Sequence, residues 1–321
     1  MSTVDTDLDV PGAARPASAG GGAGAPGTEV TAARLARVGD LDVRRLLPLR
    51  QRRSVGAWCF VDHYGPASVD GVAGMRVPPH PHIGLQTVTW LLAGTVLHRD
   101  SLGSEQVIRP GQLNLMTAGR GIAHAEESPE DHDPWLHGVQ LWLALPGAYR
   151  DTAPGFEHHA DLPALRLGRL DTTVFAGSLA GVTSPTRVYS GVVGAELSAP
   201  VDAAGIVPLA PGHEHLLFVA FGAATADGTE LRPGSMLYLP PGRDSVAVTA
   251  PAGARLFLLG GEPLGETLLM WWNFVGRTPE DIAAAARDWA TGQRFGTVTG
   301  YHGAPLPAPP LDPVRLARKA R

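Results

Sequence analysis

The sequence predicts an all-β protein made of two similar units, with one short helix near its C-terminal end. Three observations carry this. β-type runs recur at intervals of about ten residues, each bounded by Gly- or Pro-containing turns, the spacing of a sandwich or barrel. The segment Val107-Ile108-Arg109-Pro110-Gly111-Gln112-Leu113 is echoed by Leu231-Arg232-Pro233-Gly234-Ser235-Met236-Leu237, a weak internal repeat of an apolar residue, Arg-Pro-Gly and a strand. The chain holds 40 Gly and 29 Pro, enough for many tight turns and for a tail with few large side chains.

In chain order, residues 1–28 carry Pro11-Gly12-Ala13-Ala14 and Ser18-Ala19-Gly20-Gly21-Gly22-Ala23-Gly24, stretches without large apolar side chains, and we expect a disordered Gly/Ala/Pro-rich tail. Residues 29–150 form the expected first unit. Its strands include Gln86–Leu92, Thr95–His98, Glu105–Ile108, Gln112–Met116 and Gly138–Leu145. Residues 151–300 form the second, with Arg187–Val193, His215–Phe221, Ser235–Leu239, Ser245–Val248 and Arg255–Gly261. The boundary is expected within Pro146–Pro154. A helix is expected over 279–291. Thr278 is its N-cap, Pro279 opens it, Glu280 and Asp281 meet the positive end of the dipole, and Gly292 stops it. Residues 301–321 are a Pro-rich, then basic tail.

Charged residues make up 18% of the chain and the net charge is −5, which argues against a nucleic-acid footprint. No apolar run is long enough for a membrane span. The acidic N-terminus has no secretory pattern, so the cytoplasm is the default expectation, and a monomer the default state. The single cysteine, Cys59, excludes an intrachain disulfide. It lies in a strand-like run and is expected to be a buried small hydrophobe.

The chemistry concentrates in two short stretches. His80 and His82 are an i, i+2 pair in Pro79-His80-Pro81-His82-Ile83-Gly84. His124 and Glu126 are another, in Gly121-Ile122-Ala123-His124-Ala125-Glu126. Residues two apart on a strand share a face. Two such pairs on neighbouring strands would aim three imidazoles and one carboxylate at a point. That N/O donor set, without thiolate, suits a divalent first-row metal: Fe, Mn, Ni, Cu or Zn.

These motifs, with His98-Arg99-Asp100-Ser101-Leu102-Gly103, Asp62-His63-Tyr64-Gly65-Pro66, Gln140-Leu141-Trp142 and Trp271-Trp272-Asn273-Phe274-Val275, resemble the pirin family of the cupin superfamily. The resemblance spans roughly residues 35–290. It implies two tandem cupin-type, jelly-roll-like β-barrels, with one metal, usually iron and here expected as Fe(II), in the first. It implies ligands at His80, His82, His124 and Glu126, the same four that the spacing selects. It also implies either a quercetin 2,3-dioxygenase reaction or regulation through protein contact. Where the family usually carries Glu, this chain has Gln86, which can hydrogen-bond near a metal but cannot act as a base.

Two readings of function follow. In the first, the protein is a dioxygenase acting with O2 on a flavonol or other enolic small molecule, with Glu126 as ligand and catalytic base. In the second, it is a non-catalytic, metal-dependent regulatory module. That module would bind a metabolic enzyme or a transcriptional partner, with the basic run Arg50-Gln51-Arg52-Arg53 as a contact surface. Gln86, His63 and His98 are candidate second-sphere or pocket residues. His213-Glu214-His215 has no closing ligand pair and is expected as a turn with exposed imidazoles. His158-His159 is expected as an exposed loop pair.

Overall fold

The computed structural model describes residues 27–38, 41–312 and 316. The tail expected over 1–28 lies outside them except for its last two residues, as does most of the basic C-terminal run. No helix among the described residues is long and apolar enough to cross a membrane.

The first twelve strands are β1 (Glu29–Ala32), β2 (Arg34–Val38), β3 (Leu41–Leu47), β4 (Trp58–Ser68), β5 (Arg76–His82), β6 (Leu85–Ala93), β7 (Val96–Asp100), β8 (Glu105–Ile108), β9 (Leu113–Thr117), β10 (Ile122–Glu127), β11 (Trp135–Ala144) and β12 (Gly155–His159). Those that follow are β13 (Ala164–Leu167), β14 (Leu170–Leu179), β15 (Val182–Thr183), β16 (Val192–Ser198), β17 (Ala203–Pro208), β18 (Glu214–Phe221), β19 (Ala224–Ala226), β20 (Thr229–Leu231), β21 (Ser235–Leu239), β22 (Ser245–Ala250), β23 (Arg255–Gly261), β24 (Leu269–Trp271) and β25 (Phe274–Gly276), before helix α1 (Pro279–Ala290).

Each unit pairs a large sheet with a small one. The first has the order β12-β9-β6-β11-β4-β3-β2 facing β5-β10-β7-β8. The second has β1-β21-β18-β23-β16-β14-β13 facing β17-β22-β19-β20. The sheets stay separate, so each unit is a cupin-like jelly roll of two facing sheets, without full closure into a barrel.

The boundary read from sequence is crossed in both directions. β1 precedes the first unit in the chain yet pairs with β21 of the second. β12 follows Pro154 yet pairs with β9 of the first. The end of the second half also returns to the first. Val275 N–H donates to the Ile83 carbonyl at 3.1 Å, and Ile282 and Ala285 of α1 join a core with Ile83, Ala123 and Phe274. Helix α1 has the expected cap, with Thr278 accepting from Asp281 N–H in a capping box, but it seats on the first unit. The Pro-rich segment follows it there, since Leu306 N–H donates to the Pro79 carbonyl at 2.8 Å.

The units meet through the outer faces of their large sheets. Val88, Trp90, Leu115 and Leu141 pack against Phe175, Leu216, Phe218 and Phe257, all essentially buried. Burial of each contributes on the order of 1.5–3 kcal/mol. Trp90 Nε1 donates to Glu196 across this seam at 2.7 Å, which satisfies an indole that would otherwise be buried unpaired. Arg52 lies 3.3 Å over the Tyr238 ring and pairs with Glu29, so part of the basic run is spent between the units, while Arg50 and Arg53 stay exposed.

Of the second histidine motif, Glu214 reaches the same seam, while His215 shares the strand face of Leu217 and Val219 in the core of the second unit. His215 is buried on β18 and not in an exposed turn, because its strand is central in the large sheet. Glu214 accepts from Gly56 N–H and the Tyr238 hydroxyl. His158 and His159 are half-buried on edge strand β12, and His158 contacts Asn114 at 2.8 Å. Cys59 is buried on β4, and burial pushes its thiol up to about 12, an inert small hydrophobe.

His63 also lies at the seam. Its Nε2 is 2.9 Å from His137 Nε2, beside Phe218. Burial, then the neighbouring imidazole and Arg44, pull His63 down to about 3; burial, Arg255 and Arg44 pull His137 to about 4. Both folded values lie below 6.5, so folding favours the neutral rings. Their stabilisation is complete above pH 6.5 and is lost as pH falls toward 4 and 3. The urea midpoint should drop over that window, and drop less steeply in His63→Gln. Equal slopes for the two proteins would contradict this.

Candidate metal centre

The interior of the first unit is where the two ligand pairs meet. β5 and β10 are antiparallel neighbours with His124 directly opposite His80, and β10 pairs on its other side with β7, placing Glu126 opposite His98. Strand alternation then turns His80, His82, His124, Glu126 and His98 to one side. All five are buried.

Within this cluster the expected quartet divides into two overlapping groups. Donor atoms of His80, His82 and His124 lie within 4.8 Å of one another, and so do those of His98, His124 and Glu126. His124 is shared. The three imidazoles of the first group are the tighter convergence, with His82 Nε2 3.1 Å from His124 Nε2 and the His80 and His124 ring centroids 4.4 Å apart.

The outer nitrogens are anchored. His80 Nδ1 donates to the Pro78 carbonyl at 2.9 Å, and His82 Nδ1 to the Asn273 carbonyl at 3.0 Å. Each contact leaves the Nε2 lone pair directed inward. Asn273 sits with Trp272 at the tip of the β24–β25 hairpin, where buried Trp272 takes φ 52°, a left-handed conformation that a bulky residue holds only under constraint. The last quarter of the chain thus fixes a side chain of the first. Gly84 makes the approach feasible: at φ +69° its missing Cβ would meet the Val275 carbonyl.

These donors fit a first-row divalent ion. Burial pulls His80 down to about 3, and burial with neighbouring imidazoles pulls His82 and His124 well below 6.5. The rings are therefore unprotonated at neutral pH, as ligation requires. His80 Nε2 is buried without a hydrogen-bond partner, a cost that an ion at this point would remove.

Glu126 stands to the side of the triad. Burial raises its carboxyl pKa, opposed by His98 and by the Thr89 hydroxyl, which donates to Oε1 at 3.0 Å. Thr89 is also 3.0 Å from Gln140 Oε1, its cross-strand partner. The same row continues through Asp62 to Arg45, a buried bidentate ion pair at 2.7 and 2.6 Å.

The remaining expectations sort by face. Thr89 points into the pocket, so on β6 Gln86 points the other way. Its amide donates to Thr117 Oγ1 and to the Arg187 carbonyl, both at 2.9 Å, bridging the two units away from the cluster. His63 likewise alternates with Asp62 and faces the seam. His98 is inside, stacked on Phe156 with centroids 4.4 Å apart. Thr89, Gln140, Asp100 and Asn273 were not singled out by the sequence reading. Asp100, Asn273 and Gln140 do lie inside the quoted motifs, whereas Thr89 comes from the facing sheet, which no local pattern marks.

Comparison with known proteins agrees with this architecture. The Pirin family model matches residues 40–143, and the Pirin C-terminal cupin domain matches 195–296. A Pseudomonas aeruginosa protein named "Putative quercetin 2,3-dioxygenase" is 48% identical over 281 residues, covering 87% of this chain and 89% of that one. A pirin-like protein of Caulobacter vibrioides is 39% identical over 286 residues, covering 86% and 97%. The crystal structure of a quercetin 2,3-dioxygenase from Acinetobacter baumannii superposes with a TM-score of 0.86 at 42% identity, covering 89% of this chain and 96% of that one. With both of its jelly rolls matched and a histidine cluster inside the first, the chain belongs to the pirin family.

Proposed function

We propose that this protein is a metal-dependent dioxygenase of the quercetin 2,3-dioxygenase type. It acts with O2 on a flavonol or another enolic small molecule, and iron(II) is its ion. The observation that carries the reading is the pairing of three buried, neutral imidazoles with a buried carboxylate one imidazole away. The names of the Pseudomonas and Acinetobacter relatives support it. When bound, the ion supplies Lewis acidity toward the substrate oxygens and open positions for the oxidative chemistry.

The side chains divide the remaining work. His80, His82 and His124 present Nε2 lone pairs in an open arrangement. Glu126, made more basic by burial, takes the enolic proton from the substrate hydroxyl onto its carboxylate. Thr89 holds one oxygen of that carboxylate, which limits its rotation and leaves the other for the proton. Val77, Met75 and Val43, with Gln140 and Asp62, line a small cavity beside Glu126 and keep its surroundings largely apolar.

Incubating the iron-loaded protein with quercetin under air should deplete the flavonol absorbance faster than free iron does. Glu126→Gln should retain metal on the three imidazoles yet lose about 10²–10⁴-fold in turnover. Wild-type turnover in that variant would contradict the assigned base. Absence of flavonol loss above the free-iron rate would favour the regulatory reading, whose Arg50–Arg53 surface is already reduced by the Arg52 contacts.

A further inference from the structure

The site contains an unbroken run of polar contacts through three imidazoles. It starts at the Asn273 carbonyl, 3.0 Å from His82 Nδ1. His82 Nε2 is 3.1 Å from His124 Nε2, and His124 Nδ1 is 3.3 Å from His98 Nδ1. His98 Nε2 is 3.2 Å from Asp100 Oδ2. Asp100 Oδ1 accepts from the backbone N–H groups of Leu102 and Ser104 at 2.9 and 3.0 Å, which anchors the run in a turn.

Ligation through Nε2 of His82 and His124 would fix the protons along it, because each neutral imidazole carries one N–H. Both ends only accept. From the Asn273 end, His82 spends its proton on the carbonyl, so Nε2 is bare. From the Asp100 end, His98 donates through Nε2, which leaves its Nδ1 bare. His124 must then donate through Nδ1 to His98, and its own Nε2 is bare. Two lone pairs, on His82 and His124, now face each other at 3.1 Å. If His124 donated to His82 instead, the clash would move outward, setting His98 Nε2 against the Asp100 carboxylate. With three neutral rings no assignment satisfies every contact, whereas a second proton on His98 facing Asp100, or a cation at the inward Nε2 atoms, does, and only the cation also serves the unpartnered His80 Nε2.

We propose that His98 and Asp100 are positioning residues for the metal. They hold His124 as the Nδ1–H tautomer, turn its Nε2 lone pair inward, and pass carboxylate charge to it through the His98 ring. This rests on the metal reading given under Proposed function and deepens it. It also assigns His98 against the competing arrangement in which it is itself a ligand beside His124 and Glu126. Ligating imidazoles generally depend on such an acceptor, and its loss weakens metal binding by about 10–100-fold.

The test is chelator competition on the cobalt(II)-loaded full-length protein, with unfolding followed in parallel. His98→Leu removes the acceptor. His98→Gln restores one acceptor and one donor at similar reach but offers no imidazole. Asp100→Asn keeps the oxygen that the turn needs. His98→Leu and Asp100→Asn should each weaken cobalt(II) binding about 10–100-fold. His98→Gln should return to within a few-fold of wild type, and the His98→Leu/Asp100→Asn double variant should be no weaker than His98→Leu alone, since the chain is already cut.

Wild-type affinity in His98→Leu would overturn the proposal. So would His98→Gln as weak as His98→Leu, which would make His98 a ligand, and so would additive losses in the double variant. Should His98→Leu not fold, His98→Gln and Asp100→Asn decide by the same limits. A wild-type chain that takes up no cobalt(II) would remove the metal reading and this proposal together; tight wild-type binding with indifferent variants would remove this proposal alone.

Discussion

His124→Ala should abolish both bound metal and turnover. His124 is the only residue common to the two donor groups, one with His80 and His82 and the other with His98 and Glu126. Its removal leaves His80 and His82 as two imidazoles without a third, a poor site for a first-row ion. It also opens the contact path between His82 and His98. Metal content by elemental analysis and quercetin depletion under air should fall to background together, while unfolding of the metal-free protein shows the fold retained. Turnover persisting in a metal-free variant would remove the ion from the account.

Arg45→Met should have the largest effect on stability. The Arg45–Asp62 pair is 2% exposed on both sides and bidentate, and the guanidinium also lies 4.6 Å over the Phe60 ring. Removing one member strands a charge in the interior, which costs about 3–5 kcal/mol. Replacing both, as Arg45→Met/Asp62→Leu, should recover most of that, because the pair is hard to break singly but adds little over an apolar pair. Urea unfolding of the metal-free proteins reads both effects. A single variant within about 1 kcal/mol of wild type would contradict the buried-charge argument.

Much of the site was legible because a strand has a period of two. His80 with His82, and His124 with Glu126, announce a shared face without any knowledge of their partners. Which face was harder. Leu85–Leu91 is buried throughout, one side toward the pocket and the other toward the second unit, so no polar alternation marks inside from outside. That is why Gln86 and His63, expected near the metal, turn out to bridge or line the seam. The residues that hold the ligands come from elsewhere: Asn273 from a hairpin 191 positions after His82, and Thr89 from the facing sheet. Only the long-range packing of hairpin and facing sheet brings them in.

The unit boundary shows the same limit. Pro146–Pro154 looks like a linker by composition; the family models end at residue 143 and resume at 195. The reciprocal placement of β1 and β12 depends on pairing with β21 and β9, a long-range choice that local pattern does not encode. The N-cap of α1, by contrast, is local, and Thr278, Pro279 and the acidic first turn stand where the sequence places them, with Asp281 closing a capping box as well.

The most direct test is anomalous scattering from a crystal of the iron-loaded protein, collected across the iron edge. A single peak should lie about 2.1 Å from Nε2 of His80, His82 and His124, with His98 donating to Asp100 beyond it. A peak elsewhere, or none at these three nitrogens, would contradict the assignment of this cluster as the metal centre.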